Sequence, residues 1–260
     1  MRTSKKTTAA DNASVSFCTL CKGRIGYLEK TLPANLVQIQ ELDAELVLLD
    51  YRSDDGLPDW VKKTFRNYID RGVLQFIELQ SDIPFSIPIG KNFAHRLGIK
   101  QFLINLDADN FIGDLWKQAQ RATANEFIAC DEFGRGTFGR IGFWRQSLEM
   151  LGGYDEALQP AGHQDFDLIN RALHLGMRKK SVPASIPAIQ NSKVETLKYM
   201  SGGGQAEWIK MERRNAETSR NNLLQGKLRA NVSGWTSARF RKNFSENITL
   251  TKQSFYYHRI

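Results

Sequence analysis

The sequence predicts an α/β fold built on a central, mostly parallel sheet with helices on both faces. Three observations carry this reading. Apolar, strand-like runs alternate with helix-period segments three times and close on a fourth strand near residue 106, the order that builds parallel sheets with crossover helices. Acidic segments follow two of those strands, Asp50 to Asp55 and Asp107 to Asp109, and parallel sheets bind ligands beyond the carboxyl ends of their strands. Finally, 260 residues with 41% hydrophobic and 25% charged content are enough to bury a core without disulfides or structural metal.

The elements follow in order. Residues 1–13 are polar and expected to be a tail. Ser14–Leu20 is rich in apolar and β-forming residues and reads as the first strand. Ile25, Leu28, Leu32 and Leu36 keep the helical period, with Pro33 expected to bend or end that helix. Glu45–Asp50 is a continuously apolar second strand, and Arg52–Gly56 is turn chemistry. Asp59–Arg71 predicts a helix stopped by Gly72. Val73–Ile77 is a third strand, Lys91–Leu97 a helix and Phe102–Leu106 a fourth strand.

The second half changes character. Phe127–Cys130 and Arg140–Trp144 read as strands around a glycine-rich turn, Gly134–Gly139. Gln164–Leu175 reads as a helix stopped by Gly176, Ser201–Gly204 as a hinge or lid, and Gln205–Gln225 as a polar helix. Residues 232–260 are aromatic, basic and irregular or strand-like. The expected organisation is therefore a body over residues 14–200 and a basic helical or irregular extension over 201–260, packed on the same domain.

The net charge of +8 is uneven: residues 207–260 hold 11 Lys/Arg against 4 Asp/Glu. A nearly neutral body with a basic end argues against nucleic-acid binding, and no RRM, KH or helix-turn-helix signature is present. An acidic ligand or an anionic membrane surface suits the basic end better. No apolar run approaches the roughly 18 residues of a membrane span. The start lacks an apolar leader, so the expected place is the cytoplasm, with peripheral contact at a membrane's inner face. Cys18 and Cys21 form a CxxC, but no second pair completes a zinc site and Cys130 stands alone.

The chemistry centres on Asp107-Ala-Asp109. Two carboxylates at a strand end can reach one divalent cation and the phosphates it carries, and hard oxygen ligands suit Mn²⁺ or Mg²⁺. A second such pair, Asp165-Phe-Asp167, shows that the spacing alone is not specific.

Context makes it specific. Phe102-Leu-Ile-Asn-Leu-Asp-Ala-Asp-Asn-Phe111 resembles the nucleotide-sugar-binding strand of GT-A fold glycosyltransferases, family 2 in particular. In the same order, Leu48-Leu-Asp-Tyr-Arg-Ser-Asp-Asp-Gly56 is similar to that family's acidic segment after its second strand, and Gly90-Lys-Asn-Phe-Ala94 to its Arg-Asn helix. Leu151-Gly-Gly-Tyr-Asp-Glu156 and Gly162-His-Gln-Asp-Phe-Asp-Leu-Ile-Asn-Arg171 resemble a galactosyltransferase-type C-terminal motif. The resemblance covers about residues 14–200 and implies a Rossmann-like GT-A domain.

It also implies roles. Asp109 would bind the metal, and Asp107 would contact the ribose or share the metal. Asp50 would stand in the nucleotide pocket, with Tyr51 where a second acid often contacts the base. Lys91 would meet the base or the diphosphate. Asp165 would act as general base toward the acceptor hydroxyl, a role compatible with capping a helix. Asp167 reads as a helix-start carboxylate favoured by the dipole. His163, Gln164 and Trp144 are candidates for acceptor contact, and Gln190 or Asn191 for the place of a further metal ligand. His258 could fold back on the donor. Together these imply an inverting, metal-dependent transferase that uses a nucleotide-sugar donor, UDP-linked with galactose or N-acetylgalactosamine, and a hydroxyl acceptor such as a glycan. Surface-polysaccharide synthesis is the expected setting. The alternatives are a non-catalytic nucleotide-sugar- or glycan-binding protein on the same fold and a nucleotidyltransferase. The latter would need a Gly-rich basic loop after the first strand, for which Cys21-Lys-Gly-Arg24 is too short.

Overall fold

The computed structural model describes residues 13–130, 136–183, 187–190 and 204–256. Five expected features lie wholly or partly outside these: the tail over 1–12, the turn at Gly134, Asn191, the Ser201–Gly203 hinge and His258.

Within the described residues the strands are β1 (Val15–Cys21), β2 (Ala44–Asp50), β3 (Leu74–Leu79), β4 (Phe102–Asn105), β5 (Glu126–Cys130), β6 (Ile141–Trp144), β7 (Arg178–Val182), β8 (Ala238–Lys242) and β9 (Glu246–Leu250). They form one sheet in the order β7-β5-β6-β4-β1-β2-β3-β8-β9. The central strands β4, β1, β2 and β3 pair in parallel, and only β6 and β8 run against the rest. The helices are α1 (Ile25–Ile39), α2 (Leu57–Thr64), α3 (Arg66–Asp70), α4 (Ile87–Leu97), α5 (Leu115–Gln120), α6 (Arg145–Leu151), α7 (Gln164–His174) and α8 (Gln205–Leu224).

Side chains alternate across the central strands, so one sequence feeds two cores. Phe17, Leu46, Leu48 and Phe76 join Leu32 and Leu36 of α1 on one face. Val47, Leu49 and Ile77 join Phe93 and Leu97 of α4 on the other, where Phe240 and Ile248 of the terminal hairpin also pack. The strands are buried on both faces, which explains their largely apolar composition.

Several boundaries differ from the sequence reading, each for a physical reason. Pro33 lies inside α1 rather than at its end. It sits on the exposed face, where water can take up the carbonyl that its ring leaves unpaired. The helix expected over 59–71 is two helices, broken at Phe65, whose buried ring packs edge-on against Trp60 at 4.9 Å. α4 begins earlier, at Ile87, with Pro88 in its first turn. β7 reads Arg-Lys-Lys-Ser-Val and is mostly exposed; a charged edge strand lacks the apolar signal and guards against pairing with other chains. The strand-like character after residue 232 resolves into the hairpin β8–β9, which adds antiparallel to β3. Ala13, assigned by its sequence to the polar tail, is buried.

The C-terminal segment is held by one side chain. Arg96 of α4 is fully buried and donates to the carbonyls of Thr236, Thr251, Ser254 and Phe255 at 2.5–2.9 Å, with its guanidinium over the Trp235 ring. Burial pulls its pKa down to about 10, against the opposing pull of Glu156. Replacing it would strand four carbonyls. Arg96→Ala is expected to cost roughly 2–4 kcal/mol, at about 1–3 kcal/mol per buried group left unmade with some regained from water. The urea midpoint would report this, and hydrogen exchange would quicken over residues 235–256 before the central sheet.

Candidate functional site

The site is assembled at the carboxyl edge of the parallel strands. In register, Cys21 at the end of β1 lies beside Asp50 at the end of β2, and Cys18 beside Asn105 of β4. The loops leaving these ends tie to one another. Gly23 N donates to Ser53 Oγ at 2.9 Å, Lys22 Nζ to the Arg52 carbonyl at 2.6 Å, and Ile25 N at the start of α1 to Asp55 Oδ2 at 2.8 Å. Asp55 thus satisfies a free amide at a helix start.

The loop after β4 carries Asp107 and Asp109. Asn105 Nδ2 donates to Asp107 Oδ1 at 3.1 Å and to the Gly139 carbonyl at 2.7 Å. Gly139 leaves room for the Asp107 carboxylate: an added Cβ would lie 2.3 Å from its Oδ2 and displace it. Asn110 Nδ2 donates to Asp109 Oδ1 at 2.6 Å, and Arg140 Nε to Asn110 Oδ1 at 2.6 Å. Ile189 N donates to the Asp109 carbonyl at 2.9 Å, which brings that strap beside the acidic loop.

Asp165 comes from the first turn of α7. Gly162 and His163 precede it with φ of 84° and 66°, a left-handed turn that a glycine eases. Asn215 of α8 locks this turn. Its Nδ2 faces the carbonyls of Gln159, Ala161 and Gly162 at 2.7–3.2 Å, and Gln159 N donates to its Oδ1 at 2.7 Å. Asp167 is not a solvated helix-start acid: it is fully buried and pairs with Arg171 at 2.8 Å, whose other nitrogens hold the carbonyls of Leu151 and Gly153.

Lys91 of α4 joins the two acidic loops. Its Nζ lies 2.8 Å from Asp165 Oδ1 and 3.7 Å from Asp107 Oδ1, over the Tyr154 ring, and the residue is 3% exposed. Burial opposes its charge, but Asp107 and Asp165 outweigh burial and hold its pKa above the usual lysine range. Burial also raises both acids. For Asp107, Lys91 and the Asn105 amide win, and its pKa falls below the usual range. For Asp165 burial wins, helped by the Asp107 charge, and its pKa rises. Asp109 is raised by burial and by Asp107. The two carboxyls share one ammonium, so the proton affinity of each depends on the charge of the other.

Lys91, Asp107, Asp109, Gln164 and Asp165 line one cavity of about 210 Å³, together with Lys22, Arg24, Phe85 and Ile87. Asp50 is not in that lining. It is buried, accepts the Ser53 amide at 2.8 Å, and burial lifts its pKa to about 6. Tyr51 is also buried, with its hydroxyl donating to the Pro84 carbonyl at 2.9 Å. His163 sits just outside, its ring stacked on Phe166. Trp144 is not brought to the site. β6 runs antiparallel to β4, so Trp144 falls opposite Phe102 at the far edge of the sheet, where its Nε1 donates to the Thr123 carbonyl. Gln190 is exposed on the strap beside Asp109. Lys22 and Arg24 were not singled out as donor-site residues from the sequence. The basic loop Cys21-Lys-Gly-Arg24 directly after the first strand was their signal; Arg24 Nη1 lies 4.0 Å from Asp109 Oδ2.

Among the described residues no group of three His, Cys, Asp or Glu side chains could hold a metal ion. The two carboxylates Asp107 and Asp109 fit the mode in which a hard cation takes one or two carboxylates and completes its shell with phosphate oxygens and water. They do not form a protein-only cage.

No family model and no curated protein matches the sequence. Solved structures do match. The mannosyltransferase PcManGT from Pyrobaculum calidifontis, in complex with GDP-Man and Mn²⁺, aligns over 74% of this chain and 63% of its own, at 17% identity and a TM-score of 0.59. Residues 1–349 of S. aureus TarS with UDP-GlcNAc align over 78% of this chain and 65% of that one, at 16% identity and a TM-score of 0.56. GalNAc-T7 with UDP, GalNAc and Mn²⁺ aligns over 67% and 43%, at 14% identity and a TM-score of 0.54. The chain therefore spans less than two thirds of the length of each. At these identities the likeness shows the fold: the chain has the mixed α/β architecture of GT-A glycosyltransferases. No helix among the described residues is long and apolar enough to cross a membrane.

Lys91 offers a direct test of the site's electrostatics. Lys91→Met is expected to cost roughly 1–3 kcal/mol near neutral pH, because it takes the cation from Asp165 and Asp107, whose side chains are 15% and 35% exposed. Both would then have pKa values raised above their unfolded ones, so the folded state would bind more protons. Stability of the variant should rise as pH falls toward 5, and the gap to wild type should narrow. Equal losses at pH 5 and 7.5, by urea denaturation, would contradict the paired-charge reading.

Proposed function

We propose that the protein is an inverting glycosyltransferase that moves a sugar from a nucleotide-diphospho-sugar to an acceptor hydroxyl. The observation that carries the proposal is Asp165 facing the Asp107–Asp109 loop across one cavity, with Lys91 between them. A UDP-linked donor carrying galactose or N-acetylgalactosamine is the reading that the sequence motifs support. The solved neighbours hold UDP, UDP-GlcNAc or GDP-Man, which supports a nucleotide diphosphate in general.

Asp165 would accept the proton of the acceptor hydroxyl as its oxygen attacks the anomeric carbon, and its raised pKa suits that task. Its Oδ1 is held by Lys91 and its Oδ2 faces Gln164 Nε2 at 3.3 Å, which orients the carboxylate. The leaving diphosphate would develop charge beside Lys22 and Arg24, which line the same cavity. Asp109 and Asp107 would hold a Mn²⁺ or Mg²⁺ ion, which supplies further positive charge to the leaving group when bound. Phe85 and Ile87 form the apolar part of the wall and limit water. Asp50 would support the nucleotide side from beneath, through the loop it pins. Residues 14–200 would form the catalytic body, with the basic extension over 201–260 facing the acceptor.

One observation favours a second reading. The Asp165 carboxylate is already engaged by Lys91 at 2.8 Å, and Gln164 stands where related motifs carry Glu, so the same pocket could hold a nucleotide sugar without turning it over.

Two variants separate these readings. Asp165→Asn should lower kcat by 10²–10⁴-fold, the usual worth of a general base, while calorimetry shows nucleotide-sugar binding kept. Asp109→Ala should weaken Mn²⁺-supported donor binding itself. Full turnover in Asp165→Asn would remove the base assignment, and donor binding without transfer in wild type would favour the binding protein.

A further inference from the structure

The chain between α8 and β8 gathers positive charge and exposed apolar side chains in one place. From residue 218 to 245 the sequence holds six Lys/Arg and no Asp/Glu. Leu224, at the end of α8, is 76% exposed, and Val232 is 79% exposed, more than any other large apolar side chain among the described residues. Single exposed leucines are ordinary, but these two stand at either end of one basic turn. Lys227 and Arg229 lie between them, exposed, and Lys252 lies against Gly234. These three cations pair with no carboxylate among the described residues. His174, between the exposed Leu173 and Leu175, lines a groove with Leu224, so the apolar exposure continues onto the end of α7.

The turn is built rather than loose. Gly226 closes α8 with φ of 69°, and Lys227 N donates back to the Asn222 carbonyl at 2.8 Å. Ala230 N donates to the Leu151 carbonyl at 2.9 Å. Asn231 Nδ2 faces the carbonyls of Gly152 and Tyr154 at 2.8 and 2.7 Å, and its Oδ1 accepts Glu156 N at 3.1 Å. A fixed backbone therefore holds Leu224 and Val232 out in water, where the fold gains nothing from them.

The chemistry of the patch selects its partner. A nucleic acid would want exposed rings on which to stack bases, and Trp235, the aromatic residue of this turn, is buried against Arg96. A second copy in a twofold contact would bring the same cations face to face. Projecting aliphatic side chains set among lysine and arginine suit an anionic bilayer, whose acyl boundary takes the apolar tips and whose phosphates meet the cations. We infer that the turn over residues 224–234 docks on an anionic lipid bilayer, with Leu224 and Val232 inserted and Lys227, Arg229 and Lys252 on the headgroup phosphates. The inference goes beyond the transferase reading and does not depend on it.

Cosedimentation of the full chain with phosphatidylcholine vesicles, alone or with about 30% phosphatidylglycerol, tests it in about 100 mM salt. Binding to the anionic vesicles should saturate and be at least about tenfold tighter than to the neutral ones. Lys227→Glu with Arg229→Glu should weaken it by about 25-fold or more, at about fivefold per cation removed. Leu224→Ser with Val232→Ser should weaken it by at least about tenfold with the urea midpoint kept, since both side chains are exposed. The same charge change at Lys62 and Lys63, exposed on α2, should weaken it by less than about threefold. Cys18, Cys21 and Cys130 are buried, so a polarity-sensitive dye can be placed at Val232→Cys, and its emission should shift to the blue on anionic vesicles. Equal binding to both vesicles, no binding to either, an equal loss from the Lys62 and Lys63 pair, or an unshifted dye would overturn the inference. So would a dimer that Leu224→Ser with Val232→Ser breaks, in the absence of vesicle binding, which would give the surface to a second copy.

Discussion

Two ionised carboxylates that face one cavity repel each other unless a cation stands between them. Lys91 is that cation here, 2.8 Å from Asp165 and 3.7 Å from Asp107. Like charges in a medium of low polarity would otherwise protonate or force the loops apart. The pairing therefore does two things. It lets α4, the loop after β4 and the start of α7 converge on one point. It also ties the proton affinities of the two acids to one ammonium.

The rest of the architecture serves that convergence. α4 is held from behind: Asn92 bonds Tyr154 in both directions, at 2.8 Å each way, and reaches Glu156 at 2.9 Å. Arg96, one turn further, clamps the C-terminal segment. α7 is held by Asp167 and Arg171 against the turn at Gly152 and Gly153, and by Asn215 of α8 against the turn before Asp165. These are buried, multiply bonded polar groups rather than surface pairs, so each fixes position as well as adding stability.

The parallel core was legible because its strands are buried on both faces and read as largely apolar runs between helix-period segments. The acidic loop after β4 and the start of α7 were legible for a different reason: their residue types sit in ordered motifs. What stayed hidden depended on direction and on edges. Trp144 looked like a sugar-stacking residue, yet β6 runs antiparallel and carries it to the far side, a fact no local pattern encodes. β7 was silent because an edge strand of lysines and arginines avoids the apolar signature. Lys91 was visible as a site residue, but its partnership with Asp165 joins positions 74 apart in the chain.

The central claim is that the cavity around Lys91 receives a nucleotide diphosphate. The most direct measurement is ¹H–¹³C NMR of the Lys91 side chain during titration with UDP and with GDP, each with Mg²⁺ so that the signals stay sharp. The account predicts saturable shifts of the Lys91 Cε–Hε resonance, together with the backbone amides of Lys22, Arg24 and Asp109, at one nucleotide per chain. Unmoved Lys91 and loop resonances at saturating nucleotide, or shifts confined to another face of the sheet, would contradict it.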